Sequence, residues 1–287
     1  MEQKSEFTHI VDVHTHLSDD LLIKDVGEII QRAVQQNVYS ALVVAESKLD
    51  FQPILDLHHI YPEFVLPCLG IHPIQKSGKK DEKGIEIKRS VCPSDYDGVE
   101  EWIEKHVDLV GAVGEIGLDF TPRFCPLKED KENQILIFSK QVQLAERLHL
   151  PINVHSRSAS KQTIQLLKEI GAHNVLLHAF DGRASTALQG VAYGFYFSIP
   201  ASVCRDEQLQ KLLKVVPLDH LMIETDSPAI APVKGTVNEP ANAVISCEYI
   251  AQLKNVDIQT VKHMTTANAM KLFPKLATLP CQMMSQL

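Results

Sequence analysis

The chain has 287 residues, a hydrophobic share of 45% and a charged share of 22%, which fits one large globular domain or two small ones. Its formal net charge of −8 rules out nucleic-acid binding through overall charge, so a polyanionic substrate would need local attraction from cations or a basic loop. Six scattered cysteines with no C-x-x-C speak against a zinc ribbon or a disulfide scaffold and fit a reducing compartment.

The start, "MEQKSEFTH", is polar and carries no signal-peptide pattern. No apolar run approaches the roughly 18 residues of a membrane span. The expectation is therefore an intracellular protein, nuclear or cytoplasmic, with no membrane association and no obligate protein partner. Apolar, β-branched runs then predict strands at 8–14, 39–46, 64–72, 109–119, 150–156, 174–180, 194–199 and 221–228. Continuous apolar strands of this kind suggest burial on both faces, as in a parallel sheet.

Helical spacing falls between them. Residues 24–37 place Val26, Ile29, Ile30, Ala33 and Val34 on one stripe, and 97–107 do the same with Val99, Trp102, Ile103 and Val107. Residues 131–148 form a long amphipathic pattern, and 161–171 end on Gly171, which suits a helix C-cap. Helices follow at 207–216, 243–254 and 257–272. Alternation of this kind predicts an α/β fold, a single-domain (β/α)8 TIM barrel, which commonly needs about 250 residues. The competing open doubly wound sheet wants a glycine-rich turn after its first strand, and "HTHLSDD" is nothing like one.

The strand ends carry the chemistry. In "DVHTH" (12–16), two imidazoles stand one residue apart as the first strand ends. Strand alternation puts Asp12, His14 and His16 on one face. Alone, an H-x-H among 13 histidines is ordinary. The later strands, however, end in His72, Glu115, His155, His178, and Glu224 with Asp226. Ionisable groups at the carboxyl ends of barrel strands converge on one mouth, and so many independent polar burials would be costly unless they shared a task. Count and type suggest two cations: one held by His14, His16 and Asp226, the other by His155 and His178, with Glu115 bridging. Imidazole and carboxylate suit zinc, manganese or iron, whereas magnesium prefers more oxygen.

Taken in order, D-x-H-x-H-L at 12–17, G-I-H-P at 70–73, G-E-I-G-L-D at 114–119, H-S-R at 155–157, H-x-F-x-G at 178–182 and E-T-D-x-P at 224–228 resemble the TatD family of metal-dependent deoxyribonucleases, within the wider amidohydrolase-like barrels. The resemblance runs from Ile10 to Phe273. It implies a barrel domain over 1–273 that hydrolyses DNA phosphodiester bonds with two divalent cations (magnesium, manganese or zinc), in the manner of a 3′–5′ exonuclease. It also implies metal-ligand roles for His14, His16, Glu115, His155, His178 and Asp226. Where the family usually has arginine before Asn-Glu-Pro, this chain has Val237, which cannot contact phosphate as arginine would. Residues 274–287 match nothing in the family and are expected to form a loosely held tail.

Asp226 is the candidate general base and acts with Glu115 in catalysis. His72 and Arg157 are the candidate phosphate contacts, with a structural salt bridge as the competing role for Arg157. Glu224 is expected either to orient a ligand or to serve a third cation, Asp12 to support a ligand, and Asp119 to order a loop. The stretch 75–90 holds six basic residues against three acidic ones and should overhang the mouth, where it could hold a DNA backbone. Other uses of such a site remain open at this level: an ester or amide hydrolase such as an aminoacyl-tRNA deacylase, a lactone or phosphoester hydrolase, or a metal-binding scaffold without activity.

Overall fold

A computed structural model describes residues 7–280. Eight parallel strands close into a barrel in the order β1-β10-β9-β8-β7-β6-β3-β2. They are β1 (Ile10–Thr15), β2 (Val38–Val44), β3 (Val65–Leu69), β6 (Ala112–Asp119), β7 (Ile152–Arg157), β8 (Val175–Leu177), β9 (Tyr196–Ile199) and β10 (Leu221–Ile223). Each lies within or beside an expected strand. The single-domain (β/α)8 architecture is the one the alternation predicted.

The helices cover the barrel. α1 (Val26–Gln35) buries Val26, Ile29, Ile30 and Ala33, which is the stripe in the sequence. α3 (Val99–Lys105), α4 (Lys128–Leu148), α5 (Ser160–Ile170), α7 (Glu207–Val215), α8 (Ala243–Lys254) and α9 (Ile258–Leu272) follow the remaining patterns. α5 stops at Gly171, whose φ of 77° is the left-handed conformation of a C-cap. Two helices were not expected from the sequence. α2 (Phe51–Ile60) carries Pro53 near its start and His58 and His59 at its end, which blur its buried stripe of Phe51, Ile54, Leu55 and Leu57. α6 (Ala184–Ala192) buries little more than Ala187 and Gly190, so its apolar face is weak in any window.

The charged stretch after β3 is an antiparallel hairpin rather than a plain loop: β4 (Ile74–Lys80) pairs with β5 (Glu86–Ser90) outside the barrel. It went unread because charged strands have no apolar period.

Two apolar cores hold the fold. The larger lies between the barrel and the helices. The smaller draws Val11, Val13, Leu42, Val44, Leu66, Cys68, Ala112, Leu176, Tyr196 and Met222 from the strands, together with Phe273 and Leu276. Residues taken from around a closed barrel in this way fill its interior. The expected tail therefore begins later than 274: Pro274–Thr278 form a 3-10 turn that buries Leu276. Lys275 Nζ donates there to the carbonyls of Val107 and Val110, just before β6. That contact fixes the turn to the amino-terminal end of the strands, opposite the mouth. The rest of that expectation, residues 281–287, lies outside the described residues.

Candidate metal centre

The carboxyl end of β1 is tied directly to the loop after β10. Asp226 N donates to His14 O at 2.8 Å, and His16 N donates to Ser227 O at 2.7 Å. These bonds extend the β1–β10 pairing past Asp12 and Ile223 and set Asp226 against the two rings. Asp226 itself sits at φ 53°, a left-handed conformation that a non-glycine residue holds only when its surroundings fix it. Asp12 does not join the rings. Its carboxylate accepts from His14 N, Thr225 N and Thr225 Oγ1, so it braces the turn that carries Asp226. β1 also slips register against β2 between Asp12 and Thr15, which is why simple alternation does not put all three residues on one face.

On one side of the mouth, His14 Nε2 and His16 Nε2 are 3.3 Å apart. Each lies 3.6 Å from Glu115 Oε2, and they lie 3.6 and 3.3 Å from Asp226 Oδ1. Donors around a tetrahedral ion at about 2.0–2.1 Å are separated by roughly 3.3–3.4 Å, so these separations suit cation binding, with His14, His16 and Glu115 forming one donor group. On the other side, Glu115 Oε1 lies 2.7 Å from His155 Nδ1 and 2.7 Å from His178 Nε2, with those ring nitrogens 3.2 Å apart. The first two separations are hydrogen-bond lengths. Glu115 thus offers one oxygen to each side. The donor atoms group as His14–His16–Glu115, His14–His178–Asp226 and His72–Glu115–His155, so every expected metal ligand belongs to one cluster.

Two of the rings are held from behind by hydrogen bonds, and the other two face carboxylates. His14 Nδ1 lies 2.9 Å from Asn153 Oδ1, and His16 Nδ1 lies 3.0 Å from Val44 O. Donating to these oxygens leaves Nε2 of both rings free to bind a cation. His155 Nε2 is 3.5 Å from Asp119 Oδ2, and His178 Nδ1 is 3.7 Å from Glu224 Oε2. Asp119 stands beside His155 and accepts from Thr121 N in its own loop. Glu224 also accepts from Ala179 N and Ser198 Oγ. It is fully buried behind His178, a position that orients a ligand and does not suit a third cation.

Two buried glutamines of α4 clamp the strand ends. Gln141 accepts from Ile71 N and donates to Ile71 O, beside His72. Gln134 does the same for Asp119. Neither they nor Asn153 stood out in the sequence. A lone amide inside an apolar pattern has no spacing rule, although a glutamine on the buried stripe of a predicted helix is a usable signal.

The charges within the cluster are mutually supporting. Burial opposes the Glu115 carboxylate, but the rings of His178, His72 and His14 outweigh it and hold its pKa well below the usual carboxylate range. Burial likewise opposes charge on His16 and His155, yet their carboxylate partners push them up, to about 10 and about 9. His178 is driven the other way, to about 3, by burial and by His14, whose ring stacks on it at 3.7 Å. Burial, helped by the charges of Asp226 and Asp12, raises Glu224 to about 8 against His14 and the Ser198 hydrogen bond.

His72 completes one donor group, and its Nε2 lies 3.6 Å from Glu115 Oε1. Its Nδ1 lies 2.9 Å from Ile74 N and 3.0 Å from Ile74 O. Burial lowers its pKa, so the ring is neutral, and its Nε2 faces the mouth. A cavity of about 410 Å³ opens above the cluster, lined also by Lys88, Arg123, Arg157 and Asp119. Arg157 forms no ion pair among the described residues, so the structural salt bridge is not its role. Arg123, stacked on Phe124 at 4.2 Å, is a further cation on the rim. Val237 is 56% exposed and does not line this cavity.

A closed parallel barrel with a histidine- and carboxylate-lined mouth at the carboxyl ends of its strands is the architecture of a metal-dependent hydrolase. A family profile described as TatD related DNase matches residues 11–274, and the chain belongs to that family. It is 48% identical over 270 residues to the human deoxyribonuclease TATDN3, covering 94% of this chain and 96% of the human one. It is 30% identical over 270 residues to the uncharacterized metal-dependent hydrolase YabD of Bacillus subtilis, covering 92% and 98%. The crystal structure of YJJV, a TatD homolog from Escherichia coli, superposes with a TM-score of 0.80 at 24% identity, covering 93% of this chain and 98% of that one. No helix among the described residues is long and apolar enough to cross a membrane.

Proposed function

We propose that the protein is a metal-dependent deoxyribonuclease that hydrolyses a phosphodiester at the end of a DNA strand. The observation that carries this is the position of Glu115. One buried carboxylate spans both donor groups, with Oε2 beside His14 and His16 and Oε1 beside His155 and His178. That arrangement would let His14, His16 and Asp226 on one side and His155 and His178 on the other hold two divalent cations, which when bound would supply the Lewis acidity that activates water and neutralises a phosphoryl oxygen. The nitrogen-rich donor set favours zinc or manganese over magnesium.

The chain's own groups do the rest. Asp226 keeps its carboxylate ionised because the His16 hydrogen bond and the charge of His14 overcome its burial. It accepts the proton as water attacks phosphorus. His72 donates its Nε2 proton in a hydrogen bond to a phosphoryl oxygen. The Arg157 guanidinium suits two oxygens of the same phosphate, and Arg123 adds charge from the far rim. The water oxygen bonds to phosphorus as the ester oxygen leaves. The 3′–5′ polarity rests on the resemblance. Five free, scattered cysteines among the described residues support an intracellular setting.

The test uses full-length protein loaded with zinc or manganese. It is offered single-stranded DNA, a small phosphodiester, a carboxylic ester and D-aminoacyl-tRNA, alongside Glu115→Ala. The expected result is diester cleavage that Glu115→Ala abolishes. Cleavage of the carboxylic or aminoacyl ester with inert diesters would overturn the assignment, and activity surviving in Glu115→Ala would assign it to another protein.

A further inference from the structure

Lys76 and Lys88 stand directly opposite one another in the β4–β5 hairpin. Like charges in that position destabilise an antiparallel ladder. Elsewhere in the hairpin, charge is balanced. Lys80 faces Glu86 in register, and Arg89 is clamped by Asp95 at 2.7 and 2.8 Å at the hairpin base. Among the described residues, Lys76 and Lys88 take part in no ion pair, and both are exposed.

Their place on the rim gives the pair a use. Lys88 lines the mouth together with Ile74, Glu115 and Arg157. Lys76 and Lys88 together line an adjoining groove of about 270 Å³ that runs between the hairpin and residues 46–50 and is lined also by Lys48, Glu46, Asp50 and Asp95. Exposed Lys79 and Lys83 alternate with exposed Asp81 and Glu82 toward the tip. In a chain of net charge −8, the opposed lysines put positive charge beside the metal centre.

We propose that the β4–β5 hairpin is a backbone-gripping arm, in which Lys76 and Lys88 hold consecutive phosphates of a single nucleic-acid strand outside the mouth. This rests on the nuclease reading and adds a substrate class: strands several nucleotides long rather than dinucleotides or lone phosphoesters. Two phosphates supply the charge that the opposed lysines lack, and the groove leads the strand toward Arg157 and His72.

The test is binding of a labelled 20-nucleotide phosphorothioate strand, which keeps its charge and resists cleavage, to full-length metal-loaded protein over a potassium chloride series. The unmodified protein is compared with Lys76→Ala/Lys88→Ala and with Lys76→Arg/Lys88→Arg. Each phosphate contact on a single strand contributes about 0.7 to the log–log salt slope. The alanine variant should therefore show a slope shallower by about 1.4, with weaker binding at low salt, and the arginine variant should restore both. A tetranucleotide should bind the unmodified protein and the alanine variant more nearly alike than the long strand does. An unchanged slope in the alanine variant overturns the arm. Cleavage of short diesters is scored separately: if it persists while the slope is unchanged, only the arm fails. If no diester is cleaved while the slope falls, the arm stands as a polyanion grip and the nuclease reading fails.

Discussion

Asn153 on β7 reaches across the barrel to β1, where its Oδ1 lies 2.9 Å from His14 Nδ1 and its amide nitrogen donates to Val13 O at 2.9 Å. One fully buried side chain therefore fixes both the tautomer of His14 and the height of the strand that carries it. Replacing Asn153 with alanine removes the acceptor and leaves His14 Nδ1 and Val13 O unpaired. Losing such an orienting partner lowers metal affinity by about 10–100-fold. Competition with a chelator of known affinity measures this, and Asn153→Asp should retain more affinity than Asn153→Ala. Equal affinity in all three proteins would remove Asn153 from the metal centre.

His72 sits within ligand range of Glu115 and His155, with its Nε2 facing the mouth. In His72→Ala the metal content of purified protein should stay unchanged, while kcat/KM for a diester falls by the value of a hydrogen bond to a charged oxygen, about 1.5–3 kcal/mol. Elemental analysis and steady-state kinetics separate the two roles. Loss of one equivalent of metal would make His72 a ligand.

Gly117 lies at φ 148°, and a Cβ there would stand 2.0 Å from His155 O. The backbone of β7 cannot move aside without carrying His155 out of the cluster. Gly117→Ala is expected to destabilise the fold by at least the common overpacking cost of about 1–3 kcal/mol, read by denaturant unfolding. Metal stoichiometry should drop in the same variant. A variant of normal stability and metal content would show that β6 and β7 can separate freely.

The hairpin base has a pH dependence of known sign. Burial opposes the Asp95 carboxylate, but the Arg89 hydrogen bonds and those of Cys92 overcome it and lower its pKa below 3.8. A carboxylate depressed in the folded state stabilises above its unfolded pKa and loses that contribution as pH falls through the folded value. Asp95→Asn should therefore speed amide exchange in the hairpin at about pH 6 and make little difference near about pH 2. A gap that widens in acid would contradict the pairing.

Lys275 and Leu276 show where a sequence pattern falls short. Nothing in "PKLATLP" has a period, yet Leu276 joins the inner core and Lys275 binds two carbonyls ahead of β6. Both partners are far away in the chain, so no local rule reveals them. The same holds for Asn153 with His14, and for Gln141 with Ile71. The hairpin was missed for a different reason: Lys76 and Lys88 pair through backbone hydrogen bonds that leave no trace in hydropathy.

The sequence by itself determined the barrel and its ligand set. Eight buried strands read as apolar runs, and the polar groups that end six of them are conspicuous because burial there is costly without a partner. Only the tertiary structure decided how those ligands divide: Glu115 turned one oxygen to each side, Asp12 turned away to Thr225, Glu224 moved behind His178, and His72 was held by its contact with Ile74. Residue type and spacing fix which groups reach the mouth, but ring tautomers and carboxylate orientation depend on hydrogen bonds between strands distant in the chain, which form only when the barrel closes.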